Sequence, residues 1–200
     1  MKTISTLEEL DAVYDAPLPN SIHKVMTQLT PLYREWIETS RFVILSTVGP
    51  DGTDASPRGD IGPVVRIATD KTLHLPDWRG NNRLDSLRNI ILDGRVSLMF
   101  MVPGCKNVVR VNGTAVLADD PDLTGSFQTK GISPKSVIVI TIEELYFQCA
   151  KALMRSALWD SQETPSRVPT AGDFIREFNN GFDGKAYDDG YGTYAKDRMW

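Results

Sequence analysis

The chain is poor in the residues that ligate metals and staple small folds. Two cysteines, Cys105 and Cys149, and two histidines, His23 and His74, are all it has in 200 residues. That excludes a disulfide framework and the usual Cys/His zinc spacings, and a serine triad would have to use one of those two histidines. Long apolar runs are missing as well. No stretch approaches the ~20 residues that cross a bilayer, and the opening MKTISTLEELDAVYD lacks the apolar run of a secretory signal. Positive charge is not in excess. A net charge of −4 and a pI of about 5.2 argue against a general nucleic-acid binder, so any phosphate-gripping arginines act locally. No G-x-G-x-x-G follows a strand, and no G-x-x-x-x-G-K-[ST] occurs. The expectation is a cytoplasmic, metal-free protein that touches neither membrane nor nucleic acid.

What is there reads as one globular domain with appendages. The apolar fraction is 41% and the charged fraction 24%, which allows a sizeable core. The pattern divides the chain into a helical extension over 1–40, a β-rich domain over 41–160 and an arm of the same domain over 161–200. Ser5 caps a first helix over 5–14, with Glu8 completing a capping box; Pro17 and Pro19 end it. Ile22, Val25, Met26 and Leu29 share one helical face, and Thr30-Pro31 starts a further helix. These helices are packing elements, with His23 on a helix surface.

From residue 42 the pattern changes. Runs rich in β-branched residues over 42–48, 53–58, 64–68, 72–76, 95–102, 108–117 and 136–147 are separated by turn signals such as Gly49-Pro50-Asp51-Gly52. A helix to about residue 92 is inserted among them, and a short one lies within 119–128. Short connections and hairpin turns predict an antiparallel sheet that closes on itself, so the fold class is mainly β (α+β). The segment 149–159, CAKALMRSALW, is helix-compatible and puts Lys151 and Arg155 on one face; a solvated basic edge explains them equally well. Cys149 is expected to be a buried structural thiol. The tail beyond 161, rich in Gly, Asp, Asn and Tyr, is either a loosely packed arm or a lid over a neighbouring subunit.

The chain is organised around Asp77-Trp78-Arg79-Gly80-Asn81-Asn82-Arg83, a polar loop between the strand TLHLP and a helix whose apolar positions are Leu84, Leu87, Ile90 and Ile91. Asn81 and Asn82 are candidate N-caps, which puts Arg83 in the first helical turn. Free backbone N–H groups and the helix dipole favour an anion at such a start, and an arginine beside it adds two-pronged donors suited to phosphate. The residues alone leave two readings open, an anion site or an ordinary capped helix. Arg58, Arg66, Arg79, Lys151 and Arg155 complete a set of cations in separate segments.

Taken together, SPRGD, LPDWRGNNRLDSLRNI, RVSLMF, VRVNGTA and CAKALMRSALW resemble the pyridoxamine 5′-phosphate oxidase-like FMN flavoproteins, and within them the FMN-dependent PPOX class. The resemblance covers about 42–159. It implies an FMN-binding split β-barrel with N-terminal helices and an inserted helix, working as a homodimer with FMN in clefts at the interface. It implies further that Arg58 faces the flavin, that Pro76 and Asp77 lie beside the ring, and that Asn82 and Arg83 hold phosphate. Lys151, Arg155 and Ser156 would come from the facing subunit. The implied activity is hydride or electron transfer at flavin N5 on a small molecule. Non-catalytic binding of a flavin or another phosphorylated ligand, or haem handling, are the alternatives. Residues 161–200 carry scattered charges and lack the paired basic residues that bind substrate phosphate in the true vitamin B6 oxidase, so B6 oxidation is not implied.

Overall fold

The computed structural model describes residues 1–160, 168–196 and 198–200. Residues 161–167, the start of the expected arm, lie outside the described residues. Three short helices come first: α1 (Leu7–Asp11), α2 (Pro19–His23) and α3 (Pro31–Thr39). Then follow β1 (Phe42–Gly49), β2 (Gly52–Gly59), β3 (Arg66–Thr69), β4 (Thr72–Asp77), α4 (Asp85–Leu92), β5 (Arg95–Met101), β6 (Val108–Ala118), α5 (Pro121–Gly125) and β7 (Ser136–Gln148). The chain continues through α6 (Lys151–Ser156), α7 (Ala171–Phe178) and α8 (Gly184–Lys196).

The strands form one seven-stranded sheet in the order β2-β1-β5-β6-β7-β4-β3, antiparallel at every pairing. Alternation decides which face goes inside, because successive side chains of a strand point to opposite faces. Val43 and Leu45 of β1, Val96, Leu98 and Phe100 of β5, Val109 and Val111 of β6, and Ile138 and Ile140 of β7 are all buried in one cluster. Leu73 and Leu75 of β4 join them, so strands from both halves of the sheet share a single core. The sheet therefore curls round on itself. Its edge strands carry no ladder to each other; on that open side Arg58 of β2 reaches Asp77 at the end of β4 through a 2.5 Å ion pair. The mainly β expectation holds, and the barrel is split where β2 faces β4.

α4 lies across β1. Gly49 makes the approach possible: a Cβ there would meet the Asn89 Oδ1 at 2.2 Å. Asn89 in turn donates to the Thr47 hydroxyl. Ile90 goes into the core, but Ile91, expected among the apolar positions of the helix, stays outside.

Several local expectations are corrected. The cap of α1 is Thr6, not Ser5; its hydroxyl accepts from the Glu9 backbone, and the Glu9 carboxylate accepts from the Ser5 backbone. Pro19 opens α2 instead of ending a helix, which suits a residue with no N–H to satisfy. The helical face read over 22–29 does not form. Met26 exchanges two backbone hydrogen bonds with Leu145 of β7, so the core strand competes successfully for that segment. Val64 and Val65 are buried but off the ladder, Val64 donating to the Ser40 carbonyl. Both cysteines are exposed, so Cys149 is not a buried structural thiol. In the described part of the tail α7 and α8 cross at Gly172 and Gly184, where a Cβ on Gly172 would meet the Gly184 carbonyl oxygen at 2.2 Å.

Candidate functional site

Beside the open side of the barrel lies a cleft of about 1280 Å³. β2 supplies one wall. Its inward positions alternate with those facing solvent, so Asp54, Ser56 and Arg58 point the same way. The end of β4 and the loop after it supply the next wall, Pro76 to Leu84, and the first turn of α4 adds Asp85, Ser86 and Leu87. Segment 132–136 closes a third side, and Tyr191, Met199 and Trp200 reach in from the tail.

A hydrogen-bond network fixes the β2 wall to the helix. Ser86, 4% exposed, donates to the Asp54 carboxylate at 2.5 Å and lies 3.1 Å from the Ser56 hydroxyl. Arg58 donates through Nε to that same hydroxyl and through Nη1 to Asp77. One residue after Asp77, Trp78 donates its indole N–H to Asp60 at 3.0 Å. The guanidinium plane and the Trp78 ring are thus both held before any ligand arrives.

The start of α4 differs from the expected one. The Asn81 side chain accepts from the backbone N–H of Arg83, an Asx turn that keeps the chain out of the helix. Asn82 and Leu84 follow in the left-handed region, at φ of 61° and 59°. Leu84 then stands at the cap position with no side-chain hydrogen bond. Asn81 and Asn82 are therefore not caps, and Arg83 lies before the first turn, paired with Asp85 and 80% exposed. The shift strengthens one part of the anion reading. With no side chain capping the helix, its first backbone N–H groups remain available on the cleft side.

Arg58, Pro76, Asp77, Asn81, Asn82 and Arg83 all line this cleft. Lys151, Arg155 and Ser156 do not. They are exposed on α6, where the Ser156 hydroxyl donates to the Leu153 carbonyl, and Trp159 just beyond donates its indole N–H to the Cys105 carbonyl. Arg66 is elsewhere too, over the Phe127 ring at 3.7 Å and bonded to Ser126. Sequence reasoning missed Asp54, Ser86, Lys135 and the tail residues. The period-2 alternation of β2 carried the signal for Asp54; nothing local marks Trp200.

Charge in the cleft is mixed. Arg58, Arg79, Arg83 and Lys135 face Asp54, Asp77 and Asp85. Among the described residues Arg79 and Lys135 make no ion pair, whereas Arg58 and Arg83 do. Neither histidine and neither cysteine lines it. Among the described residues no group of His, Cys, Asp and Glu could hold a metal ion, and no helix is long and apolar enough to cross a membrane. The donors suit a phosphorylated, partly flat ligand: guanidinium forks, free helix-start amides and amide side chains at one part, Pro76 and Trp78 at another.

A family model described as pyridoxamine 5′-phosphate oxidase matches residues 29–149. No curated protein matches the chain. Among solved structures, a variant of HupZ from Group A Streptococcus is 20% identical, with a TM-score of 0.50 over 62% of this chain and 100% of that one. A candidate pyridoxamine 5′-phosphate oxidase of Lactobacillus delbrueckii is 23% identical, with a TM-score of 0.49 over 60% and 95%. An FMN-binding protein of Syntrophomonas wolfei is 15% identical, with a TM-score of 0.42 over 58% and 88%. The first of these shows a shared fold and no more.

Proposed function

The chain belongs to the pyridoxamine 5′-phosphate oxidase family, and on that premise we propose that it binds FMN in this cleft and acts as an oxidoreductase on a small molecule. The observation that carries the proposal is the convergence of Arg58, Pro76, Asp77, Asn81, Asn82 and Arg83, drawn from two strands and a loop, on one cleft. When bound, the flavin supplies hydride and electron transfer at N5. The chain's own residues bind and orient. Arg83, Asn82 and the uncapped start of α4 hold the phosphate. Asp77 keeps Arg58 extended toward the cleft, and Pro76 gives the ring an apolar support. Lys151, Arg155 and Ser156 belong to this reading as contributions from a second copy of the chain, with FMN at the interface of a homodimer.

A second reading, binding without turnover, is favoured by one observation. No histidine or cysteine lines the cleft, so the side chains that most often move protons near neutral pH are missing there. The haem alternative finds no histidine or cysteine ligand in the cleft.

Titration of the apoprotein with FMN, FAD and riboflavin tests the proposal. The expected outcome is a yellow protein that takes up FMN most tightly. A colourless protein that takes up no FMN at micromolar concentration overturns it. Reduction of the bound flavin by NADH or NADPH, followed by reoxidation by an added acceptor over many cycles, separates enzyme from binding module.

A further inference from the structure

The cleft has a part that the phosphate-binding reading leaves unused. Its charged side chains come mainly from β2 and from 77–85. The rest of its lining, 132–136 with Tyr191, Met199 and Trp200, is largely apolar and aromatic, and Ser133, Lys135 and Ser136 are its polar members. Trp200 lies edge-on to Trp78, with ring centroids 5.3 Å apart and planes at 83°. Trp78 is fixed by its bond to Asp60. The segment bearing Trp200 is tied back to α8, where Arg198 lies 4.2 Å from the Tyr194 ring centroid and donates to the Tyr194 carbonyl. α8 is in turn locked to α7 at Gly172 and Gly184. Two indoles from distant parts of the chain thus meet at the cleft.

Size points the same way. At about 1280 Å³ the cleft exceeds the roughly 300–1,000 Å³ of pockets that hold one ligand. There is room for a second molecule beside a flavin. An edge-to-face pair also leaves ring faces open, and aromatic rings attract flat partners in offset or edge-on stacks.

We propose that Trp78 and Trp200 form a substrate subsite for a flat aromatic or quinonoid molecule, with Trp200 as the specificity-determining residue. The proposal rests on the FMN reading of the same cleft.

The test has two stages. FMN uptake is first titrated for wild type, Trp200→Ala and Trp200→Phe; all three are expected to agree within about threefold, since Trp200 is not among the phosphate-binding groups. Equilibrium dialysis of the FMN-loaded proteins against 1,4-naphthoquinone follows, with 2,3-butanedione as a small non-aromatic control. The expected result is saturable naphthoquinone binding to wild type, weakened about tenfold or more in Trp200→Ala and kept within about threefold in Trp200→Phe, as stacking anchors behave. Butanedione does not bind measurably. Normal FMN uptake with equal naphthoquinone binding by wild type and Trp200→Ala, or with none by wild type, overturns the subsite and leaves the flavin reading standing. Failure of wild type to take up FMN overturns both.

Discussion

The ion pair between Arg58 and Asp77 closes the open side of the barrel, and its removal has a computable cost. The Arg58 side chain is 20% exposed and that of Asp77 16%. Exposed pairs contribute about 0.2–1 kcal/mol, and breaking a fully buried one costs about 3–5 kcal/mol. A pair exposed by about a fifth falls between. Arg58→Ala also removes the bond from Nε to the Ser56 hydroxyl and leaves Asp77 unpaired. The expected loss is about 2–3 kcal/mol in the flavin-free protein, or a melting point lower by roughly 4–12 °C for a chain of this size. Truncation alone does not prove the pair, since any half-buried side chain costs something to remove. The double-mutant cycle with Asp77→Ala isolates it, with an expected coupling of about 1–2 kcal/mol. Urea unfolding followed by tryptophan fluorescence and by far-ultraviolet circular dichroism gives the four stabilities, coincidence of the two probes confirming two-state behaviour. A coupling below about 0.5 kcal/mol refutes the argument that this pair bridges the split.

Three further outcomes are expected. Arg83→Ala lowers FMN affinity by about tenfold, the low end for a charge-assisted contact, because Asp85 already shares the guanidinium; riboflavin affinity stays unchanged, and equal losses for both ligands would remove Arg83 from the phosphate. Light scattering of the FMN-loaded protein gives twice the chain mass of 22.3 kDa, and a monomer mass refutes the interface location of the flavin. His74 is held below its usual 6.5 by burial first and by the Arg66 charge second. The folded chain thus favours the neutral ring, and stability contributed by that preference is complete above pH 6.5 and lost as pH falls toward the depressed value. The urea midpoint of His74→Gln should fall less steeply than that of wild type over that window, and identical slopes refute the assignment.

The strands were legible because their information is local and periodic. In β1, β5, β6 and β7 the buried residues alternate along the chain, so the sequence itself shows which face goes inside. The loop 77–83, which lines the cleft, stood out for a similar reason: polar, amide and basic residues stand together between two apolar patterns. The helix start was misplaced because two local signals compete. Asn81 is a good cap by type, yet it bonds to the Arg83 backbone in a turn, and Leu84 occupies a backbone region that β- and γ-branched residues rarely visit. Composition could not reveal the tail. Glycines at 172 and 184 lower helix propensity, but their missing side chains let α7 and α8 touch, so packing outweighs propensity. Trp78 and Trp200 meet only through the whole fold, and no periodicity links them.

The charge distribution reassigns the work within the cleft. The sequence points to Arg58 and Arg83, and both reach the cleft, but each already neutralises a carboxylate. An arriving phosphate gains little net charge from Arg58 unless Asp77 gives it up, and that exchange would open the bridge across the split. Arg83 is different: its partner Asp85 sits in the first turn of α4, where the helix dipole stabilises its charge without the arginine. Releasing Arg83 to a phosphate is therefore cheaper than releasing Arg58. Arg79 and Lys135 carry no ion pair among the described residues and flank the same space. On the proposed FMN reading, long-range attraction of the phosphate would come from these two, the grip from Arg83 and the uncapped amides, and the rigid geometry from the Arg58–Asp77 bridge. On this division Lys135→Ala slows FMN association and does so most at low salt, whereas Arg83→Ala speeds dissociation. Stopped-flow titration at two ionic strengths separates the two, and a salt-independent association rate unchanged by Lys135→Ala refutes the division.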